Sequence, residues 1–430
     1  MMFHLIKKKT NNFILFIIDF LIYISCFLNS SKLCAYFLRV SLLKPKSLRK
    51  NHNSNKKVVI LLYRSIGIRD VEIISKLSNN IPEILILRRR VVKIILNHFF
   101  FQKKRYLNFF RSKPTKEEFF NQNVNNKKKH EAFWTEILLN LKTHFDKRDI
   151  NFITFAYYYY VESGLYAGCK KTKIPVKLWN KECFMSDADV KSRIIANEYK
   201  DFFKFFYKIS TYNEFMKKML IDMNQSNKKK ITVNGCPRTF DFVKEKRIHK
   251  KVNNILFLSF NPKQGFPKDS KNKNFNWNLT YKKIINILNE LSKNENLNIN
   301  IKRKNINAYN PNLKINSKIK IFEGGTAEKY INKADIIIGH NSGSTIESLV
   351  NGKFVMVPFF EKKMYLKKYL YRFDKSIIYT SEKKMKKEIL FLINKKFSFP
   401  LKNKKYQKTI QYYYGNTKKI KENYTNFLNC

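Results

Sequence analysis

The stretch ADIIIGHNSGSTIESLVNGKFVMVPFF, Ala334 to Phe360, decides how this chain is read. DIIIGHN is an apolar run bounded by charge and turn residues, and it predicts a buried strand ending at His340-Asn341. Ser342-Gly343-Ser344-Thr345 follow as a turn, STIESLVNG predicts a short helix, and FVMVPFF predicts a second strand. Strand, turn, helix and strand form the repeating unit of a doubly wound sheet, which binds ligands at its carboxyl edge. A helix that starts at such an edge offers free N–H groups and the positive end of its dipole, so it attracts phosphate. Gly343 lets the backbone approach a ligand, and the hydroxyls of Ser342, Ser344 and Thr345 add donors. A plainer reading uses the same letters. Ser344 to Glu347 spells a capping box, with Glu347 bonding the N–H of the cap. The local pattern leaves both readings open.

Outward from this stretch the alternation continues. NNILFLSFNP, LNINIKRKN and IKIFEGG read as strands, with NLTYKKIINILNELSKN and AEKYINKA as helices. Earlier in the chain, KKVVILLYR (Lys56 to Arg64), EILILRRR, INFITFAYYYY and IPVKLWNKE read as strands, and SIGIRDVEIISKLSNN, HEAFWTEILLNLKTHF and ESGLYAGCKKTK as turn or helix. Segment 102–130 is polar and reads as a loop. A break falls at 208–230, where a helix runs into a lysine-rich joint. The expected fold is α/β, with two Rossmann-like domains facing each other across a cleft. The expected limits are a hydrophobic and basic helical segment over 1–55, a first domain over 56–210, a linker over 211–230, a second domain over 231–400 and a helical tail over 401–430.

Composition narrows the partners. The chain has 430 residues, 44% of them apolar, enough for two cores. Its 86 Lys and Arg against 32 Asp and Glu give a formal charge of +54, which attracts phosphate, nucleic acid or an anionic membrane. The excess is mostly lysine and is accompanied by Asn, Ile, Phe and Tyr, which share AT-rich codons, so a genome-wide base bias is a bland alternative. No zinc-finger spacing or RRM motif accompanies the charge, so nucleic acid is not the expected partner. Only 11 glycines occur, and five of them lie between Gly324 and Gly352, where the backbone needs them. The six cysteines form no CxxC pair, and His98 and His340 have no partner at metal-ligand spacing. Asp187-Ala188-Asp189 fits a metal motif only by its letters. The expectation is a reduced compartment, no metal and no cofactor.

Near the N-terminus, Phe13 to Leu28 is an apolar run of 16 residues with Asp19 inside it. That is shorter than the ~17–25 residues of a spanning helix. Lys7-Lys8-Lys9 and the basic stretch Lys32 to Lys57 flank it. The expected arrangement is a helix lying in the interface of an anionic membrane, on a cytoplasmic protein peripheral or monotopic at the inner membrane. A single span and an ordinary packed helix are the alternatives.

The Ala334–Phe360 stretch resembles the carboxyl-domain signature of GT-B glycosyltransferases, and in particular bacterial surface-carbohydrate and capsule-synthesis proteins and the CDP-glycerol glycerophosphotransferase group. ITVNGCPRTFD (Ile231 to Asp241) is similar to the G-x-P-R-x-D that opens their second domain. INIKRKN stands where they carry a basic strand followed by His-Pro; Lys302 and Arg303 are present and the His-Pro is absent. IPVKLWNKE is similar to a G-I-P…E run near the end of their first domain. The matches span roughly residues 150–360. The resemblance implies transfer of a sugar or alditol phosphate from a nucleotide-sugar or CDP-alditol donor to a glycan or lipid-linked acceptor. It implies donor phosphates on Ser342, Gly343, Ser344 and Thr345 and the ribose on Glu347, with Arg238, Lys302 and His340 at the same cleft. An acceptor hydroxyl needs a general base from the first domain, and Glu182, Glu162 and Asp70 stand at strand ends there. A nucleotide-sugar epimerase of the same shape and a non-enzymatic polyanion-binding protein are the competing readings.

Overall fold

The computed structural model describes residues 2–44, 54–101, 116–121, 124–146, 148–156, 159–181, 200–224, 228–240, 248–260, 277–303, 313–361, 370–399, 404–415 and 419–430. Six parallel strands make the first sheet: β1 (Ser54–Leu62), β2 (Pro82–Leu87), β3 (Asp149–Thr154), β4 (Val176–Trp179), β5 (Phe206–Thr211) and β6 (Ile231–Val233), in the order β2-β1-β3-β4-β5-β6. Val58 to Leu62 are buried, as befits a strand covered on both faces. The helices of this half are α1 (Met2–Phe27), α2 (Ser31–Ser41), α3 (Ser65–Leu77), α4 (Arg89–Phe100), α5 (Lys116–Asn121), α6 (Val124–Thr143), α7 (Ser163–Lys171) and α8 (Glu214–Asn224).

After a short strand β7 (Ile248–Lys250), a second parallel sheet forms from β8 (Asn254–Leu258), β9 (Asn298–Lys302), β10 (Lys320–Phe322), β11 (Ile336–Ile338), β12 (Phe354–Pro358) and β13 (Ile378–Tyr379), in the order β10-β9-β8-β11-β12-β13. Around it lie α9 (Asn278–Leu291), α10 (Glu328–Lys333), α11 (Gly343–Val350) and α12 (Glu382–Asn394). Strand β14 (Phe397–Phe399) then pairs antiparallel with β7. Helices α13 (Lys404–Tyr414) and α14 (Ile420–Asn429) close the chain. The strand order reverses between β1 and β3 in the first sheet and between β8 and β11 in the second. At such reversals the connections leave toward opposite faces and open a crevice.

The expected joint over 211–230 is corrected. It holds α8, and Ile231–Val233 pairs with β5 instead of opening the second domain. Three residues are too few to show a period, so this edge strand escaped the pattern. The end of the polar segment 102–130 is also helical, because α6 turns Phe133, Trp134 and Ile137 into the core. The tail does not stand apart. α14 stacks Tyr424 on Trp179 at a centroid distance of 4.1 Å. Its last carbonyls are met by lysines from the sheet: Lys177 donates to Phe427 O at 2.9 Å and Leu428 O at 3.2 Å, and Lys57 donates to Asn429 O. Cations suit that end of a helix.

Asp19 has a structural explanation. It is 1% exposed, and Arg88 grips it through two nitrogens at 2.6 and 3.1 Å, with Arg90 at 3.2 Å. Ile18, Ile22, Tyr23 and Cys26 on the same side are buried. The single-span alternative is corrected accordingly: no helix of the described residues is long and apolar enough to cross a membrane.

Candidate functional site

Ser342 is the cap of α11. Its backbone is extended (φ −149°, ψ 141°), and its Oγ accepts from the Ser344 N–H at 3.2 Å. The capping-box reading is therefore corrected: the cap lies two residues earlier, Glu347 is the fifth residue of the helix, and its carboxylate is directed elsewhere. Asn341, Ser342, Gly343 and Ser344 are half-buried, so the helix start is reachable from solvent. Thr345 is buried against the strand end; a Cβ on Gly339 would stand 2.4 Å from its Oγ1, so a side chain there would force Thr345 to move. This helix start lies at the β8/β11 reversal of the second sheet.

Three candidates named from separate motifs meet at one point. Arg238, in a turn of 3₁₀ helix over Pro237–Phe240, places Nη1 2.6 Å from Glu347 Oε1 and Nε 3.1 Å from Asp70 Oδ1. Tyr212 donates its hydroxyl to Asp70 Oδ2. Asp70 is 0% exposed, Arg238 5% and Glu347 8%. Asp70 comes from α3, which follows β1, and Glu347 from α11, which follows β11, so the triad ties the carboxyl-edge helices of both sheets together. Beside it Arg69 pairs with Glu328 at 3.0 Å, a second tie between the same halves. Burial raises both the Asp70 and Glu347 carboxyls, against the lowering pull of Arg238.

The other candidates lie apart from the triad. Glu162 is buried and accepts from Thr154 Oγ1 at 2.9 Å, from the Tyr166 hydroxyl at 2.6 Å and from Arg64. Arg64 in turn stacks over Tyr159 at 3.8 Å. His340 donates Nε2–H to the Pro358 carbonyl and sits edge-on to Phe260 at 4.4 Å and Trp277 at 5.4 Å. Burial lowers its pKa to about 3, so it is a neutral core side chain. Lys302 ends β9 at the same sheet edge, but its ammonium turns to the Arg303 carbonyl at 2.7 Å. Glu182 and Asp187-Ala188-Asp189 lie outside the described residues. Among the described residues, no three His, Cys, Asp or Glu side chains are placed to hold a metal ion.

Sequence reasoning missed Tyr212, Arg64 and Tyr166. The tyrosines carry no signal of their own. The position of Arg64 at the end of the KKVVILLYR run was readable, but its burial and its need for a carboxylate partner appear only in the structure.

Two doubly wound parallel sheets, tied at their carboxyl-edge helices with a helix N-terminus at the second reversal, place the chain in the GT-B-like class of two-domain α/β architectures. No family model matches the chain, and no curated protein matches it. Solved structures share the architecture at low identity. A UDP-N-acetylglucosamine 2-epimerase is similar at 11% identity and TM-score 0.49, covering 86% of this chain and 94% of its own. The wall teichoic acid polymerase TagF is similar at 9% identity and TM-score 0.45, covering 96% and 97%. The lipopolysaccharide outer core galactosyltransferase WaaB is similar at 10% identity and TM-score 0.43, covering 87% and 100%.

Proposed function

We propose that the protein transfers a sugar or alditol phosphate from a nucleotide-activated donor to a glycan or lipid-linked acceptor presented at an anionic membrane surface. The observation that carries this reading is the start of α11. It is a capped, solvent-reachable helix N-terminus at the strand-order reversal of the second sheet, where anionic groups bind best. In this reading the Gly343 backbone N–H group and the Ser342 and Ser344 hydroxyls receive the donor phosphates, while the Ser344 N–H stays on the Ser342 cap. Their donors stabilise the charge that builds on the departing nucleoside phosphate. Arg238 and Asp70 act indirectly, by fixing Glu347 and the approach of the first domain. Glu347 is then available to a ribose hydroxyl only through the oxygen that Arg238 does not hold. The acceptor-side base is assigned to Glu182, three residues past the carboxyl end of β4 in sequence.

Calorimetric titration with UDP, CMP and GDP tests the reading. One of the three binds, and Gly343→Val, which fills the space beside the helix start, weakens that binding by about tenfold or more while the melting temperature stays near the parent's. Equal nucleotide affinity in the parent and the variant, or no binding of any of the three, refutes it.

A further inference from the structure

The pair α1 and α2 is apolar on two sides at once. One side packs on the first domain through Ile22, Cys26, Cys34 and Leu38. The other should be polar if it faced only water. Instead Phe13, Ile17 and Phe20 on α1 and Leu33, Tyr36 and Val40 on α2 each leave between 41% and 64% of their surface exposed. Their spacings of three, four and seven residues make one stripe along each helix. The first 60 residues also carry eleven Lys and Arg against a single carboxylate, Asp19, and that one is buried and already paired with Arg88 and Arg90. Arg90 itself lies over the Phe16 ring at 5.8 Å, at the rim of the stripe.

We propose that the outward face of α1 and α2 is a docking surface for an anionic lipid bilayer, which adsorbs the protein without a spanning helix. Charge selects this occupant. A second copy of the chain would bring together two molecules that each carry a formal charge of +54, and their repulsion opposes pairing, whereas anionic headgroups complement that charge. Aromatic and aliphatic side chains on a basic helix enter the headgroup boundary by their exposed face. The placement also orients the molecule. Arg88 and Arg90 follow directly on β2, so the middle of α1 is pinned at the carboxyl edge of the first sheet. That is the edge from which Arg64 and α3 leave, and it brings the acceptor side of the cleft to the membrane. The inference deepens the membrane part of the reading above and stands independently of what the cleft transfers.

Co-sedimentation of the full chain with vesicles tests it. The expected result is binding to vesicles of equal parts phosphatidylcholine and phosphatidylglycerol, weaker binding to phosphatidylcholine alone, and partial release by salt. Ile17→Glu/Phe20→Glu changes two side chains that reach solvent, Phe20 also stacking on Tyr23, and is expected to weaken binding to the anionic vesicles by about tenfold or more. Tyr36→Glu/Val40→Glu on α2 gives the same loss if the first pair fails to fold. Nucleotide titration of the same variants stays at the parent's value, which separates docking from the cleft. Parent-like vesicle binding by both variants overturns the proposal, as does a parent that ignores both kinds of vesicle. A parent that elutes as a dimer, becomes monomeric in the variants and binds no vesicle also overturns it, in favour of a second copy.

Discussion

Arg238 touches both Asp70 and Glu347, and all three side chains are buried. Removing it by Arg238→Met takes away the cation in contact with both buried carboxyls and leaves the more distant pull of Arg69 on the pair, and the expected cost is about 3–5 kcal/mol, read by urea unfolding. The triple variant Arg238→Met/Asp70→Asn/Glu347→Gln removes the charges together and is expected to recover a good part of that loss; no recovery would mean that the ion pairs are not the source. Each of the three residues was legible singly: Arg238 in GCPRTFD, Glu347 in GSTIES and Asp70 in RSIGIRD. Their meeting was not. Arg238 and Glu347 stand 109 residues apart and Asp70 and Tyr212 stand 142 apart, and single-sequence periodicity reports neighbours along a helix or strand, not across domains. The resemblance gave the three residues separate roles, and the geometry gives them a shared one.

At the scale of elements, the start of α11 moves the cap from Ser344, where the capping-box reading put it, to Ser342. Ser342→Ala removes the cap and is expected to cost about 0.5–2 kcal/mol of stability, while Ser344→Ala, inside the first turn, costs less. Thermal melts of the two variants side by side check the order. Two buried histidines, His340 after β11 and His130 on α6, add a pH dependence. Burial lowers both to about 3, and Trp134 donates its ring N–H to His130 Nε2 at 3.0 Å. A lowered folded pKa means that the neutral form is the stable one. The stability is complete above the unfolded pKa of about 6.5 and is lost as pH falls toward 3, at about 1.4 kcal/mol per pH unit for each histidine. The raised carboxyls of Asp70 and Glu347 act in the opposite sense, losing their contribution as pH rises above the ordinary carboxylate range. The histidine contribution is isolated by comparison: between pH 6.5 and 5 the parent's urea midpoint is expected to fall relative to that of His340→Phe, which lacks one of the two histidine slopes. The strands flanking these helices were legible because buried parallel strands read as continuous apolar runs. Asp19 on α1 was legible as an anomaly, and its partners Arg88 and Arg90 sit in the EILILRRR run that was read only as a strand.

At the scale of the whole molecule, the two-sheet plan was readable from alternating strands and helices, but the path of the chain between the sheets was not. Nothing in ITV marks it as the last strand of the first sheet, and nothing in the final helix says that Lys177 and Lys57 will receive its carbonyls. Deleting residues 419–430 leaves the Lys177 ammonium without those acceptors and Trp179 without its stacking partner. The expected result is a lower melting temperature of the first domain by differential scanning calorimetry, with the second domain's transition unmoved. The antiparallel pairing of β7 with β14 has a further consequence. The chain enters and leaves the second sheet through adjacent strands, so in genetic terms that domain is a cassette inserted into the first, its two ends already fastened side by side. A gene fragment covering residues 248–399 should thus yield a cooperatively melting domain by circular dichroism. The host domain, whose sequence is interrupted by the cassette, should tolerate its replacement by a short glycine-serine bridge across the same neck.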